Sequence, residues 1–240
     1  MSKYTEYFKI RTNDLDTYDK VKPYVYLDFF QDVAGHHADL LGVGYEACKK
    51  ENLAWVLMKN KLEIISSPLP YEEVEVVTWP SSRSRVDYGR DYILKNKQGD
   101  VLVKATSQWV FADIVTHRIV RTSTLSMPLD ADEEPLYEEK IEKVNIDDLV
   151  ITESIYSHKI VNSDLDHYGH TNNSRYLQML FDAIPNNIDK PFKSIVINYL
   201  NEAHLGEVVE LYLEIHDDSI IGYGKIKDSD KTSFSFKVLN

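Results

Sequence analysis

At 240 residues the chain is long enough for one large domain or two small ones, and an apolar share of 43% supports a real core. A formal net charge of −12 makes nucleic acid a poor partner, and no apolar run approaches the roughly 18 residues needed to cross a bilayer, so membrane insertion is not expected. The lone cysteine, Cys48, excludes an internal disulfide and disfavours a thiolate zinc site. No apolar stretch follows Lys3, so the start does not read as a signal peptide, and a cytoplasmic location is the natural expectation.

An apolar strand around Ile10 leads into the turn Asp14-Leu15-Asp16, and a helix carrying Phe29, Phe30, Val33, His36 and His37 follows. The run Val74-Glu75-Val76-Val77-Thr78-Trp79 is rich in β-formers. Strands over 88–95 and 101–111 flank Lys97-Gln98-Gly99-Asp100, a hairpin turn. The stretch 126–149 contains Pro128, Pro135 and an acidic cluster without a clean period, and it reads as a linker. Beyond it another apolar strand leads into Asp164-Leu165-Asp166. A helix over about 172–183 follows, with Tyr176, Leu177, Leu180, Phe181 and Ile184 at helical spacing on one face. Asn172 or Asn173 caps its start, and Pro185 lies just past its end. The apolar run Ile195-Val196-Ile197 leads to Glu202, read here as a strand end, and strands over 208–215, 220–226 and 233–238 are separated by Asp-rich turns.

Residues 9–32 and 159–182 align without gaps and share nine of 24 positions, among them Asp14/Asp164, Asp16/Asp166, Tyr18/Tyr168 and Tyr26/Tyr176. Chance would give about one or two. A period this long indicates duplication of a whole domain. One long helix followed by antiparallel strands, twice over, is an α+β architecture, in which each sheet could wrap its helix and the two units pack as an internal pseudo-dimer. The expected boundaries are 1–125, 126–149 and 150–240.

The stretch from Asp164 to Asn173 concentrates the chemistry. Backbone N–H groups at a helix start carry partial positive charge and lack internal partners, so they suit a developing oxyanion. Gly169 lets the backbone approach a substrate closely. Asp166 is placed to orient or deprotonate water or to attack a carbonyl, and alternatively it makes only an Asx turn ahead of the helix. His170 is suited to act as a base or to hold Asp166 and water, and otherwise caps local backbone. Glu202 reads as a carboxylate reaching into the site, or as a solvated strand-end residue. The first copy has Asp19 for Gly169, Lys20 for His170 and Pro23 for Asn173, so it keeps the fold residues and loses the chemistry. No Gly-rich phosphate loop, serine-hydrolase elbow or clustered zinc ligands appear.

With these residues in view, the chain resembles the acyl-acyl carrier protein (acyl-ACP) thioesterases, the fatty-acid chain-terminating enzymes of plants and some bacteria. The similarity runs through Gly42-Val43-Gly44, Trp55-Val56-Leu57, Val76-Val77-Thr78-Trp79, Arg90-Asp91-Tyr92 and Ser107-Gln108-Trp109-Val110, and then through Asn198-Tyr199-Leu200-Asn201-Glu202-Ala203. The hotdog thioesterase motif D-x-D-x-x-G-H-x-N-N is matched in full from Asp164 to Asn173. The resemblance implies two tandem hotdog domains, each an antiparallel sheet wrapped around a long helix. It implies an acyl chain held mainly in the first domain, with Phe29, Phe30, Val33, Leu41, Trp55 and Leu57 as wall candidates that read more readily as plain core, and catalysis in the second by Asp166, His170 and Glu202. Tyr168, Gly169, Asn172 and Asn173 would contact substrate, with no metal or organic cofactor. The reaction implied is hydrolysis of fatty acyl-ACP to free fatty acid and holo-ACP, by a monomer or homodimer. An acyl-CoA thioesterase, a non-catalytic acyl-binding hotdog protein and, more weakly, a hotdog dehydratase are the rivals. Two departures stand out: Tyr168 replaces the usual Asn, and Ala203 replaces the Cys of plant members, so no Cys–His mechanism operates there. Because acyl carrier protein is acidic, docking calls for a local basic patch, for which Arg83, Arg85, Arg90, Lys95 and Lys97 are the candidates, a solvated strand face being the equal alternative reading of the same residues.

Overall fold

The computed structural model describes residues 2–125, 131, 133–184 and 192–240. The chain divides into two compact units, Met1–Ile141 and Glu142–Asn240. The first contains β1 (Tyr4–Lys9), α1 (Pro23–Leu40), a short α2 (Tyr45–Lys50), β2 (Leu53–Ile64), β3 (Glu73–Arg83), β4 (Asp87–Lys95) and β5 (Val101–Asp113). Its strands pair antiparallel in the order β1-β3-β4-β5-β2. The second contains β6 (Tyr156–Lys159), α3 (Asn173–Ala183), β7 (Ser194–Tyr199), β8 (Val208–Ile215), β9 (Ser219–Ile226) and β10 (Thr232–Leu239). Its antiparallel order, β6-β8-β9-β10-β7, repeats the first. The duplication read from 24 aligned residues therefore extends to the whole topology.

Each long helix packs on its own sheet. On α1, Phe29 stacks on Phe8 of β1 at 4.6 Å and Phe30 on Tyr92 of β4 at 4.8 Å. Pro23 opens α1 at its first turn, where a missing N–H costs nothing. On α3, Tyr176 lies 5.2 Å from Phe234 of β10. The buried stripe of α3 runs through Tyr176, Leu177, Met179, Leu180 and Ala183. It is centred about one residue earlier than the sequence suggests, which leaves Phe181 and Ile184 half-buried at its margin. Asn172 is the cap, its Oδ1 accepting from Ser174 N at 2.9 Å. Pro185 and residues 126–130 and 132 lie outside the described residues.

The described part of the stretch read as a linker is anchored to both sheets. Trp79 Nε1 donates to Glu134 O (3.2 Å), Leu136 N to Asp91 Oδ2 (2.7 Å) and Lys59 Nζ to Ile141 O (3.0 Å). Burial holds the Asp91 carboxyl above its usual range. From Glu142 onward the anchor changes unit: Asn198 donates to Glu142 O and accepts from Val144 N. A buried amide and a buried carboxylate thus use this segment's backbone as their partners, as buried polar groups require. No helix among the described residues is long and apolar enough to cross a membrane.

Candidate active site

Both units build the same loop before the long helix. Asp166 Oδ1 accepts from Tyr168 N (2.8 Å) and His170 N (3.0 Å), and Asp16 Oδ1 accepts from Tyr18 N (2.8 Å) and Lys20 N (2.9 Å). Asp164 and Asp14 each take the backbone N–H three residues earlier, from Val161 and Arg11. Backbone bonds repeat as well, Asp166 N to His170 O at 2.8 Å matching Asp16 N to Lys20 O at 2.7 Å. The Asp-Leu-Asp signal is therefore a folding device in both copies, and the Asx-turn reading holds for Asp166 and Asp16 alike. What Asp166 has to spare is Oδ2, which makes no hydrogen bond among the described residues. Gly169 sits at φ +80° and Asp19, its counterpart, at +58°, so the turn itself accepts a side chain. A Cβ at 169 would meet nothing within 4 Å, and the glycine leaves that space open.

The bonds after β2 and β7 give a second correspondence. Ile65 N and Ser66 N both donate to Leu102 O, as Leu200 N and Asn201 N donate to Ser233 O. Leu69 N donates to Glu72 Oε2 (2.8 Å) and His204 N to Glu207 Oε2 (2.7 Å). Glu202 therefore stands where the first unit has Ser67, and Ala203 where it has Pro68. β7 ends at Tyr199, so Glu202 lies in the turn beyond the strand rather than at its end, because its backbone has already left the ladder.

Elsewhere the second unit leaves free groups that the first lacks or has engaged. Glu202 Oε1 is buried without a hydrogen bond, 3.7 Å from His204 Nδ1, while the side chain as a whole is about one third exposed (32%). Thr171 N–H and Asn173 N–H have no partner among the described residues. In the first unit Val21 N–H donates to Ser67 Oγ (2.9 Å), and Pro23 has no N–H. The Ala203 peptide is held at both ends, its O accepting from Thr171 Oγ1 and its N donating to the Tyr176 hydroxyl at 3.0 Å. Burial raises the Tyr176 phenol above its ordinary range, so it stays protonated. Val21 and Pro68 cannot form this clamp. A buried carboxylate oxygen without a hydrogen bond and two N–H groups without a protein partner near the positive end of α3 are left for water or a ligand. Together they can activate water and receive a developing negative charge.

Among the described residues no hydrogen bond or ion pair joins the side chains of Asp166, His170 and Glu202 to one another. Sites without substrate are commonly this open. His170 is exposed, and its ring stacks at 27° to that of Tyr168, with centroids 6.4 Å apart. Tyr168 is 46% exposed and Tyr18 62%, so neither fills a core. Asn173 accepts from the Tyr199 hydroxyl at 3.3 Å through its carbonyl. Trp55 belongs to the first unit, where its Nε1 donates to Val43 O (2.8 Å) and its ring packs on Phe111 at 3.7 Å. Cys48 lies in the same apolar cluster, its thiol pushed up to about 11 by burial. The basic patch expected for docking is not assembled. Arg90 is buried against His37 (3.0 Å), and Lys95 and Lys97 sit beside Glu75 and Glu73. No cluster of three His, Cys, Asp or Glu residues that could hold a metal occurs among the described residues.

Sequence reasoning missed the clamp, Thr171 above all. The signal was present in the differences between copies, but the loops after β2 and β7 correspond at a spacing of 135 residues, not the 150 of the helices. Only the hydrogen bonds reveal that register.

A long helix on an antiparallel sheet, twice in one chain and chemically equipped in one copy only, defines a tandem hotdog protein. The chain belongs to the acyl-ACP thioesterase family: residues 1–124 match its N-terminal domain and residues 150–238 its C-terminal domain. It is 25% identical over 231 residues to the chloroplastic palmitoyl-acyl carrier protein thioesterase of Gossypium hirsutum, covering 90% of this chain and 56% of that one. It is 26% identical to oleoyl-acyl carrier protein thioesterase 2 of Arabidopsis thaliana, covering 86% and 61%. The chain thus spans little more than half the length of these curated relatives. In fold it matches an acyl-ACP thioesterase from Bacteroides thetaiotaomicron, with a TM-score of 0.88, 22% identity and coverage of 99% and 97%. It also matches the 12:0-ACP thioesterase from Umbellularia californica, with a TM-score of 0.83, 19% identity and coverage of 99% and 96%.

Proposed function

We propose that the protein hydrolyses fatty acyl thioesters of acyl carrier protein to free fatty acid and carrier thiol, ending chain elongation. Family membership supports the substrate class, and the contrast between the two units carries the assignment of the site. Thr171 N–H and Asn173 N–H receive the thioester oxygen as it becomes an oxyanion. Asp166 Oδ2 and His170 orient a water, and Glu202 accepts its proton as the water oxygen bonds to the carbonyl carbon. The C–S bond then breaks, and the carrier thiolate leaves and takes up a proton. Gly169 gives the acyl group room, and Tyr168, Asn172 and Asn173 border it. The first unit holds the acyl chain, with Trp55 on the wall of the hydrophobic cluster it shares with Tyr88 and Phe111. The proposal needs no cofactor, fits a monomer or homodimer, and takes the cytoplasm as the expected location.

The test is thiol release from a panel of acyl carrier protein thioesters by wild type and Glu202→Gln. Turnover by wild type and a loss of at least about 100-fold in kcat for the variant is the expected result. Equal or faster hydrolysis of the matching CoA esters would move the substrate to acyl-CoA. Tight acyl binding with no release from any chain length would make this a binding protein.

A further inference from the structure

Four of the seven arginines in the chain, Arg83, Arg85, Arg118 and Arg121, gather at one corner of the first unit. The turn between β3 and β4 and the segment after β5 are tied together there. Thr122 N donates to Arg85 O (3.0 Å), Thr122 Oγ1 to Ser84 O (2.8 Å) and Arg83 Nη2 to Thr122 O (3.1 Å). Asp113 N donates to Arg118 O (3.0 Å) and Val120 N to Phe111 O (2.8 Å), which brings Arg118 and Arg121 beside the same strand end. All four side chains are exposed, and none is ion-paired among the described residues. The other three arginines are engaged elsewhere: Arg11 with Asp14, Arg175 with Gln178, and Arg90 in the interior. Two carboxylates lie at this corner, Asp113 and Asp87, and neither forms an ion pair with an arginine among the described residues. Asp113 Oδ1 is occupied by Val115 N, Thr116 N and Thr116 Oγ1, and Asp87 is half-buried. Val86, Val115 and Ile119 stand exposed among the arginines.

A chain with a net charge of −12 repels an acidic partner everywhere except where cations are concentrated and unpaired. Guanidinium groups are the side chains best shaped to grip carboxylates in pairs, and exposed aliphatic residues beside them add the apolar contact that a mere solvated corner does not need. We propose that this corner is the docking surface for the acidic carrier protein, gripping a helix that presents several carboxylates around a few apolar side chains. The proposal rests on the thioesterase reading, since that reading supplies an acidic protein partner. It replaces the patch expected from sequence, keeping Arg83 and Arg85 and exchanging Arg90, Lys95 and Lys97 for Arg118 and Arg121.

The experiment uses the full chain, the double variant Arg85→Glu/Arg121→Glu, its milder form Arg85→Gln/Arg121→Gln, and Lys231→Glu as an exposed control in the second unit. Binding of fluorescently labelled holo carrier protein is followed by anisotropy at several salt concentrations, beside turnover of acyl carrier protein and of the matching acyl-pantetheine. Carrier affinity and kcat/KM should fall at least about tenfold in the Glu double variant, with a weaker salt dependence and a smaller loss in the Gln form. Lys231→Glu should match wild type, and acyl-pantetheine turnover should stay within about twofold in every variant. Unchanged carrier binding in the Glu variant, or no carrier binding by wild type, overturns the surface. Carrier binding that depends on these arginines without any hydrolysis keeps the surface and removes the thioesterase reading. Loss of binding to anionic phospholipid vesicles, with carrier binding intact, assigns the corner to a membrane instead.

Discussion

At Asp166 the fold role and the proposed catalytic role fall on different oxygens. Its Oδ1 closes the loop with two N–H groups, as Asp16 does in the first unit, and Oδ2 is the oxygen left for the proposed reaction. The two roles separate by substitution. Asp166→Asn keeps an oxygen for the turn, so it should melt close to wild type while losing activity. Asp166→Ala should lose both, with about 1–3 kcal/mol of stability gone with the turn. Asp16→Ala should lose similar stability and leave kcat within about twofold, because the proposed chemistry lies in the second loop. Thermal unfolding and kcat on the same three proteins check this, and equal activity loss in Asp16→Ala and Asp166→Asn would refute the division of labour. Cys48 yields a second residue-scale prediction. Burial disfavours its thiolate, and a thiol pushed up to about 11 leaves roughly one part in a thousand ionised at pH 8. Iodoacetamide should therefore leave the native protein unlabelled and active at pH 8, and label it readily once unfolded.

Among the elements, the start of α3 and the turn after β7 work as one device, because Thr171 and Tyr176 hold the peptide that follows Glu202. Thr171→Val, the residue of the first copy, should lower kcat about tenfold or more with KM little changed, and Thr171→Ser should restore most of it. A merely structural threonine would instead lose stability in Val and show no hydroxyl-dependent rescue of kcat. Much of this scale was legible in the sequence. The strands at 74–79 and 101–111 announced themselves by β-formers, the hairpin by Lys97-Gln98-Gly99-Asp100, and α3 by its apolar spacing and Asn172 cap. β2 was not, because Lys59, Lys61 and Glu63 break its apolar run on the exposed side. The clamp was invisible because it joins the turn before α3 to a backbone carbonyl 32 residues away, which no local pattern encodes. The anchoring of the described part of 126–149 was not legible either, because it uses backbone groups that any sequence supplies.

At the scale of the whole molecule, duplication supplies an internal control. The two copies share their topology, their Asx loops and the bonds around Glu72 and Glu207, so the first copy records what this backbone tolerates when it is not asked to react. Val21, Pro23 and Ser67 all sit without strain in that backbone: proline suits the first position of a helix, and Ser67 Oγ satisfies the N–H that valine leaves. Writing those residues into the second copy, as Thr171→Val/Asn173→Pro/Glu202→Ser, should therefore give a protein that folds cooperatively with a Tm within about 5 °C of wild type. Its turnover should fall at least about 100-fold, since the carboxylate, one free N–H and the clamp are gone together, and the introduced serine is placed to occupy the remaining N–H. Acyl-chain binding, measured by displacement of a fluorescent fatty acid, should persist, because the apolar cluster of the first unit is untouched. A folded triple variant that kept its turnover would place the chemistry elsewhere in the chain. One that failed to fold would show that the two copies do not share a common tolerance, and the comparison between them would lose its force as a guide to function.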